Sequence, residues 1–92
     1  GNGSTLIVDG LRAGAVDTNS AELLWNPATG EGADQLSGYR VLQDGNPVDD
    51  VSSTNYLAIG LSADTSYRFQ VQALDSNGAV LADSNSLNIS TD

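Results

Sequence analysis

A chain of 92 residues is one domain, and one this short buries only about 60–65% of the surface its unfolded form exposes. That leaves one thin core and no second lobe to roof a deep cleft, so a buried small-molecule site is not expected. Twelve acidic residues stand against three arginines, with no Lys, His or Cys and a net charge of −9. This excludes disulfides and thiolate metal sites and disfavours phosphate backbones and anionic lipid surfaces as partners.

The acidity reads first as solubility and self-repulsion, with a high-salt environment or cation binding as sharper alternatives. No apolar run approaches the roughly 18 residues of a membrane span, and no basic, apolar leader is present. The chain opens Gly1-Asn2-Gly3-Ser4, which reads as a linker end or cloning remnant. Residues 1–9 are therefore expected to be a linker or N-terminal extension, and residues 10–92 the domain. The chain reads as a piece of a longer protein.

In chain order the apolar period is two, not 3.6. A first strand is expected over residues 10–16, and a second over 20–26, where Ala21, Leu23 and Trp25 alternate with Glu22 and Leu24. A third, over 36–44, alternates Tyr39 and Val41 with Arg40 and Leu42. Short strands follow over 47–51 and 55–60, and Pro47 sits at the start of the first of them, one of the few places a strand tolerates it. A sixth strand over 66–75 alternates Tyr67, Phe69, Val71 and Ala73 with Arg68, Gln70 and Gln72. The last, over 84–91, is carried by Leu87 and Ile89. Alternation of this kind makes half-buried strands. Residues 79–82 either extend a hairpin turning at Asn77-Gly78 or lie in a long loop. Asp17-Thr18-Asn19-Ser20, Asp44-Gly45-Asn46-Pro47, Ser52-Ser53-Thr54-Asn55 and Asp75-Ser76-Asn77-Gly78 are turn chemistry, at intervals close to the 8–12 residues of a sandwich or barrel.

These segments together resemble a fibronectin type III module of the kind appended to bacterial secreted enzymes such as chitinases. Gly10-Leu11-Arg12-Ala13 and Val16 match its first strand, and Ser20 through Pro27 its second, with the core Trp25. Leu36-Ser37-Gly38-Tyr39-Arg40-Val41 matches the third. Gly60-Leu61-Ser62-Ala63-Asp64-Thr65-Ser66-Tyr67 matches the corner before the sixth, and Ser84-Asn85-Ser86-Leu87 with Ile89 the last. The resemblance covers residues 10–91, and its strength lies in the order and spacing of the set. It implies an all-β fold, a seven-stranded antiparallel two-sheet sandwich with immunoglobulin-like topology. Trp25 is then the largest filler between the sheets, and Tyr67 resembles a tyrosine corner whose hydroxyl bonds back to nearby backbone. The family often has Pro where Ala63 stands. The expected core is Leu11, Val16, Leu23, Trp25, Tyr39, Val41, Leu61, Tyr67, Phe69, Val71, Leu87 and Ile89.

Catalysis is not expected. A serine nucleophile lacks the usual base, and the adjacent acids Asp49 and Asp50 on a strand point to opposite faces. No cofactor and no catalytic or metal residue is assigned. Asp44, Asp49, Asp50 and Asp75 lie in or near loops, but without the spacing of a calcium loop, and turn formation accounts for them. Sugar binding leans on exposed rings, and all five aromatics, Trp25, Tyr39, Tyr56, Tyr67 and Phe69, fall at inward positions. The Arg-Gly-Asp tip of some family members is absent from Asp75-Ser76-Asn77-Gly78. Asn2-Gly3-Ser4 and Asn88-Ile89-Ser90 fit the glycosylation sequon, idle in a bacterial module.

Two surfaces remain. If Ala21, Leu23 and Trp25 point inward, Leu24 points outward. By the same alternation Leu57 and Ile59 point outward from a neighbouring strand. Leu24, Leu57 and Ile59 are the candidate protein-interaction face, unless residues 5–9 fold over it. On the opposite sheet Arg40, Arg68, Gln70 and Gln72 form a polar strip. The resemblance implies a spacer that positions neighbouring domains of an extracellular protein. The alternatives are a docking module using the apolar face and a weak carbohydrate-binding accessory domain. The expected partners are adjacent domains of the same chain or another protein, with no nucleic acid or membrane, and the isolated module is expected to be a monomer.

Overall fold

The computed structural model describes residues 6–92. Eight strands form two antiparallel sheets. They are β1 (Arg12–Val16), β2 (Ala21–Leu24), β3 (Gly38–Gln43), β4 (Asn46–Val51), β5 (Asn55–Ala58), β6 (Ser66–Leu74), β7 (Val80–Asp83) and β8 (Leu87–Ser90). One sheet runs β1-β2-β5. The other runs β4-β3-β6, and both β7 and β8 pair with the far edge of β6. A short 3-10 turn, Ala33–Gln35, interrupts the connection from β2 to β3.

The expected two-sheet sandwich is present, with one strand more than the seven expected. The stretch left open at 79–82 extends the hairpin as β7, and the last strand is broken. Gln72 pairs with Asp83 on β7, whereas Phe69 pairs with Leu87 on β8. Two residues of β6, Gln70 and Val71, thus face three, Ser84, Asn85 and Ser86, which is the count of a β-bulge. Ser84 repairs the ladder with its side chain. Its N–H donates to the Val71 carbonyl at 2.8 Å, and its Oγ accepts the Val71 N–H at 2.9 Å. The Ser84 carbonyl is turned away and takes the Gln70 side-chain amide at 3.0 Å instead. No alternation signals this break, because a bulge keeps the residues but shifts their phase.

Asn85 joins the two sheets along one side. Its amide oxygen accepts the Leu11 N–H and its amide nitrogen donates to the Leu11 carbonyl, both at 3.1 Å. A side-chain amide carries a donor and an acceptor side by side, so it pairs with a backbone residue as a neighbouring strand would. On the opposite side of the sandwich, β4 is a free edge. It is broken by an extra residue, Val48, between the pairs Val41↔Asp49 and Leu42↔Pro47. A bulge, a proline and two acids on an edge strand all discourage pairing with another chain. The β3–β4 hairpin turns on Asp44 and Gly45, both at positive φ (53° and 86°), as a two-residue primed turn requires.

The core is built from the alternating inward residues. Phe69, Leu23, Val41 and Val71 are wholly buried. Of the other expected core positions, Leu11, Trp25, Tyr39, Leu61 and Ile89 are buried, while Val16, Tyr67 and Leu87 are half-buried against them. Trp25 and Tyr39 meet edge to face at 5.6 Å, the geometry their quadrupoles favour. The Trp25 indole N–H is the one buried side-chain polar atom without a hydrogen-bond partner among the described residues.

The expected boundary at Gly10 is corrected. Leu6 and Val8 are buried in the same core, and Ile7 exchanges two backbone hydrogen bonds with Thr29, at 2.8 and 3.0 Å. The Asp9 carbonyl accepts the Asn26 N–H at 3.0 Å. Residues 6–9 therefore belong to the packed domain. The rest of the expected extension, including Gly1-Asn2-Gly3-Ser4 and its sequon, lies outside the described residues.

Two tyrosines hold backbone that no strand satisfies. The Tyr39 hydroxyl accepts the buried Ala28 N–H at 3.0 Å, and the Tyr67 hydroxyl accepts the exposed Ser62 N–H at 2.7 Å, as a tyrosine corner does. Their removal should cost different amounts. Tyr39→Phe strands a buried donor and is expected to lose about 1–3 kcal/mol, whereas after Tyr67→Phe water reaches Ser62 and the loss is about 0.5–1.5 kcal/mol. Urea titration of both variants checks the order. Equal losses would mean that the Ala28 amide is open to water.

Candidate functional site

The register decides what the outward leucines form. Leu24 stands between Arg12 on β1 and Asn55 on β5, and Leu57 stands opposite Glu22. Directly paired residues share a face, so Leu24 and Leu57 meet only on a diagonal, with a carboxylate and an amide at the other corners. Leu57 is 57% exposed and Ile59 is 71% exposed. Leu24 is half-buried, which corrects its expected place in an open cluster. Residues 6–9 do not cover the pair. They pack at the Asn26–Thr29 end, whereas Ile59 lies near Asn19, whose carbonyl accepts the Leu61 N–H at 3.0 Å. Together Leu57 and Ile59 make a two-residue apolar patch, small beside the roughly 300–600 Å² of the largest patch on an ordinary monomer.

Three of the four side chains of the polar strip, Arg40, Gln70 and Gln72, bond to neighbouring strands or connections. The Arg40 guanidinium pairs with Asp50 at 2.9 Å. That hydrogen bond, and then the Asp50 charge, raise its pKa above the ordinary arginine value. The pair is solvent-exposed and worth little to stability. The Gln72 amide donates to Asp83 at 2.9 Å, and Gln70 is held by Ser84.

The acids in and near the loops are engaged by backbone N–H groups, Asp75 within its own turn, Asp49 on the next residue of β4 and Asp44 across on β6. Asp44 Oδ1 accepts the Arg68 N–H, and Asp49 Oδ1 accepts the Asp50 N–H, each at 2.9 Å. Asp75 Oδ1 accepts the N–H groups of Asn77 and Ala79, both at 2.9 Å. Among the described residues no three acids converge as a metal cluster would require. An open groove is lined by Ser37, Asp50, Val51, Leu74, Asp75 and Ser76. Its two carboxylates are the ones bound to Arg40 and to the turn, and no residue beside its serines serves as a base.

Trp25, Tyr39 and Phe69 are buried, and Tyr56 and Tyr67 half-buried. Burial pushes the Tyr56 hydroxyl's pKa up, and the nearby Asp49 charge pushes it further. None of the five rings lies open as a flat platform for a sugar.

The two ends of the described chain sit at opposite poles. Ile7 is tied to Thr29, beyond the end of β2. Asp92 is tied to the start of β2: its N–H donates to the Asp17 carbonyl at 3.2 Å, and its carbonyl accepts the Asp64 N–H at 3.1 Å. The molecule measures 45 × 21 × 19 Å, so chain enters at one end of a rod and leaves near the other. The sequence places Ser84 and Asn85 in the last matched strand without a bonding role, and Leu6 and Val8 in the expected extension. Only the apolar run Leu6-Ile7-Val8 held a signal.

A family model described as "Fibronectin type III domain" matches residues 7–90. Exoglucanase B of Cellulomonas fimi is 37% identical over 82 residues, which is 89% of this chain and 8% of that protein. Chitinase D of Niallia circulans is 37% identical over 82 residues, 89% of this chain and 15% of the relative. The chain thus spans a small fraction of the length of these relatives. Among solved structures, the fibronectin type III domain of human fibronectin type III domain containing protein 3 superposes with a TM-score of 0.81 at 19% identity, covering 99% of this chain and 88% of that one.

Proposed function

The chain belongs to the fibronectin type III family, and from that membership we propose that it is a non-catalytic spacer in a larger extracellular protein, holding its neighbours apart. The observation that carries this reading is the placement of the chain ends at opposite poles of a 45 Å rod. A module with both ends at one pole would instead bring its neighbours together. Similarity to segments of an exoglucanase and a chitinase supports an accessory role beside domains that act on polysaccharide, and with it a secreted or cell-surface location. The acidic, disulfide-free surface is compatible with that setting, since the fold holds by its core alone.

A second reading, docking of a neighbouring domain, rests on Leu57 and Ile59. One experiment separates the two. The chain is placed between two folded carrier proteins and the spacing is measured by small-angle scattering, with and without Leu57→Ser and Ile59→Ser. A spacer adds about the length of its long axis in both versions. Docking predicts a shorter separation that lengthens when the two apolar side chains are removed. Retention of the isolated chain on insoluble cellulose or chitin would sink both readings in favour of a carbohydrate-binding accessory domain.

A further inference from the structure

The chain holds two Asn-Gly pairs, Asn2-Gly3 and Asn77-Gly78, and the second sits at the tip of the β6–β7 hairpin. An asparagine before glycine is the pair most open to deamidation, because no Cβ shields the glycine nitrogen. Asn77 and Gly78 are exposed. Gly78 has φ +81°, and a Cβ placed on it would meet nothing within 4 Å. Sterically the site is open to ring closure.

The turn opposes it. The Gly78 N–H, whose nitrogen must become the nucleophile, donates to the Asp75 carbonyl at 3.0 Å. The Asn77 N–H is pinned on Asp75 Oδ1 at 2.9 Å, and the same oxygen holds the Ala79 N–H at 2.9 Å. The Asp75 N–H closes the loop on the Ala79 carbonyl at 3.0 Å. Attack requires the Asn77–Gly78 peptide to rotate and the Gly78 N–H to lose its acceptor. Both movements break bonds to Asp75.

We propose that Asn77 is a deamidation site gated by Asp75, so that its modification marks opening of the β6–β7 hairpin. The Gly78 nitrogen bonds to Asn77 Cγ, the Cγ–Nδ2 bond breaks, and ammonia departs with the proton from Gly78. Water then opens the succinimide at one of its two carbonyls, giving Asp or isoaspartate. The product carries one more negative charge on a chain that already has −9. Isoaspartate also lengthens the backbone inside the turn and displaces its closing bonds.

The test uses the 92-residue chain, incubated at mildly alkaline pH. Peptide mass spectrometry and isoaspartate detection follow Asn77, and Asn2-Gly3 in the same sample shows that conditions permit the reaction. In the folded chain Asn77 is expected to react at least about tenfold more slowly than in urea, as local opening controls access. Asp75→Ala, checked by circular dichroism for an intact fold, should raise the rate several-fold. Asp75→Asn keeps an acceptor oxygen and should stay near the parent rate. Equal rates in folded and unfolded chain would overturn the gate without any variant. No reaction at Asn77 in urea would overturn the site, and an unchanged rate in folded Asp75→Ala would overturn the role of Asp75.

Discussion

Phe69→Ala is expected to remove about 3–5 kcal/mol of stability. Phe69 is wholly buried, and it sits on β6 between Gln43 of β3 and Leu87 of β8. Its ring fills the space between sheets at a place held from both sides, where the surroundings cannot collapse to close the cavity. A domain of this length has a total stability of about 5–14 kcal/mol, so one substitution takes at least about a fifth of it. Urea titration should show a midpoint lower by about 2 M with the slope preserved. Leu57→Ala, on the exposed face of β5, serves as the comparison and should change stability by no more than about 0.5 kcal/mol. A Phe69 variant as stable as that one would mean that this core is loosely packed.

A chain begun at Gly10 should lose about 2–4 kcal/mol. Burial of Leu6 and Val8 stabilises the fold by about 1.5–3 kcal/mol each. The ordering entropy released when residues 6–9 are removed offsets part of this. The shortened chain also leaves to water the carbonyl and N–H of Thr29 and the N–H of Asn26, which Ile7 and Asp9 now satisfy. If the midpoint of urea unfolding stays put, residues 6–9 are a passenger segment after all. Leu6→Ala in the full chain tests the same point with one residue and should cost about 2 kcal/mol or more.

The failures of the sequence reading share a cause. Leu6-Ile7-Val8 is too short to show a period, so the sequence reads it as an extension although two of its side chains are core. Alternation puts Leu24 on the outer face but does not specify its neighbours there. Arg12 and Asn55 flank it only after three distant segments align. The break at Ser84 was invisible because its evidence is a count of residues between two pairings with β6. The tie that Asn85 makes is not legible in the sequence because its partner, Leu11, lies 74 positions away.

What the sequence determined by itself was the class of fold and its inner face. Period two, the turn residues at Asp44-Gly45 and Asp75 through Gly78, and the order of Trp25, Tyr39, Tyr67 and Phe69 are local facts. The hydrophobic effect acts on them wherever the strands end up. Tertiary structure alone decided where the domain begins, which outward leucines stay open, how the two sheets are tied by Asn85, and that the ends emerge at opposite poles. Each of these depends on hydrogen bonds and packing between residues far apart in the chain, and these form only once strand pairing fixes the register.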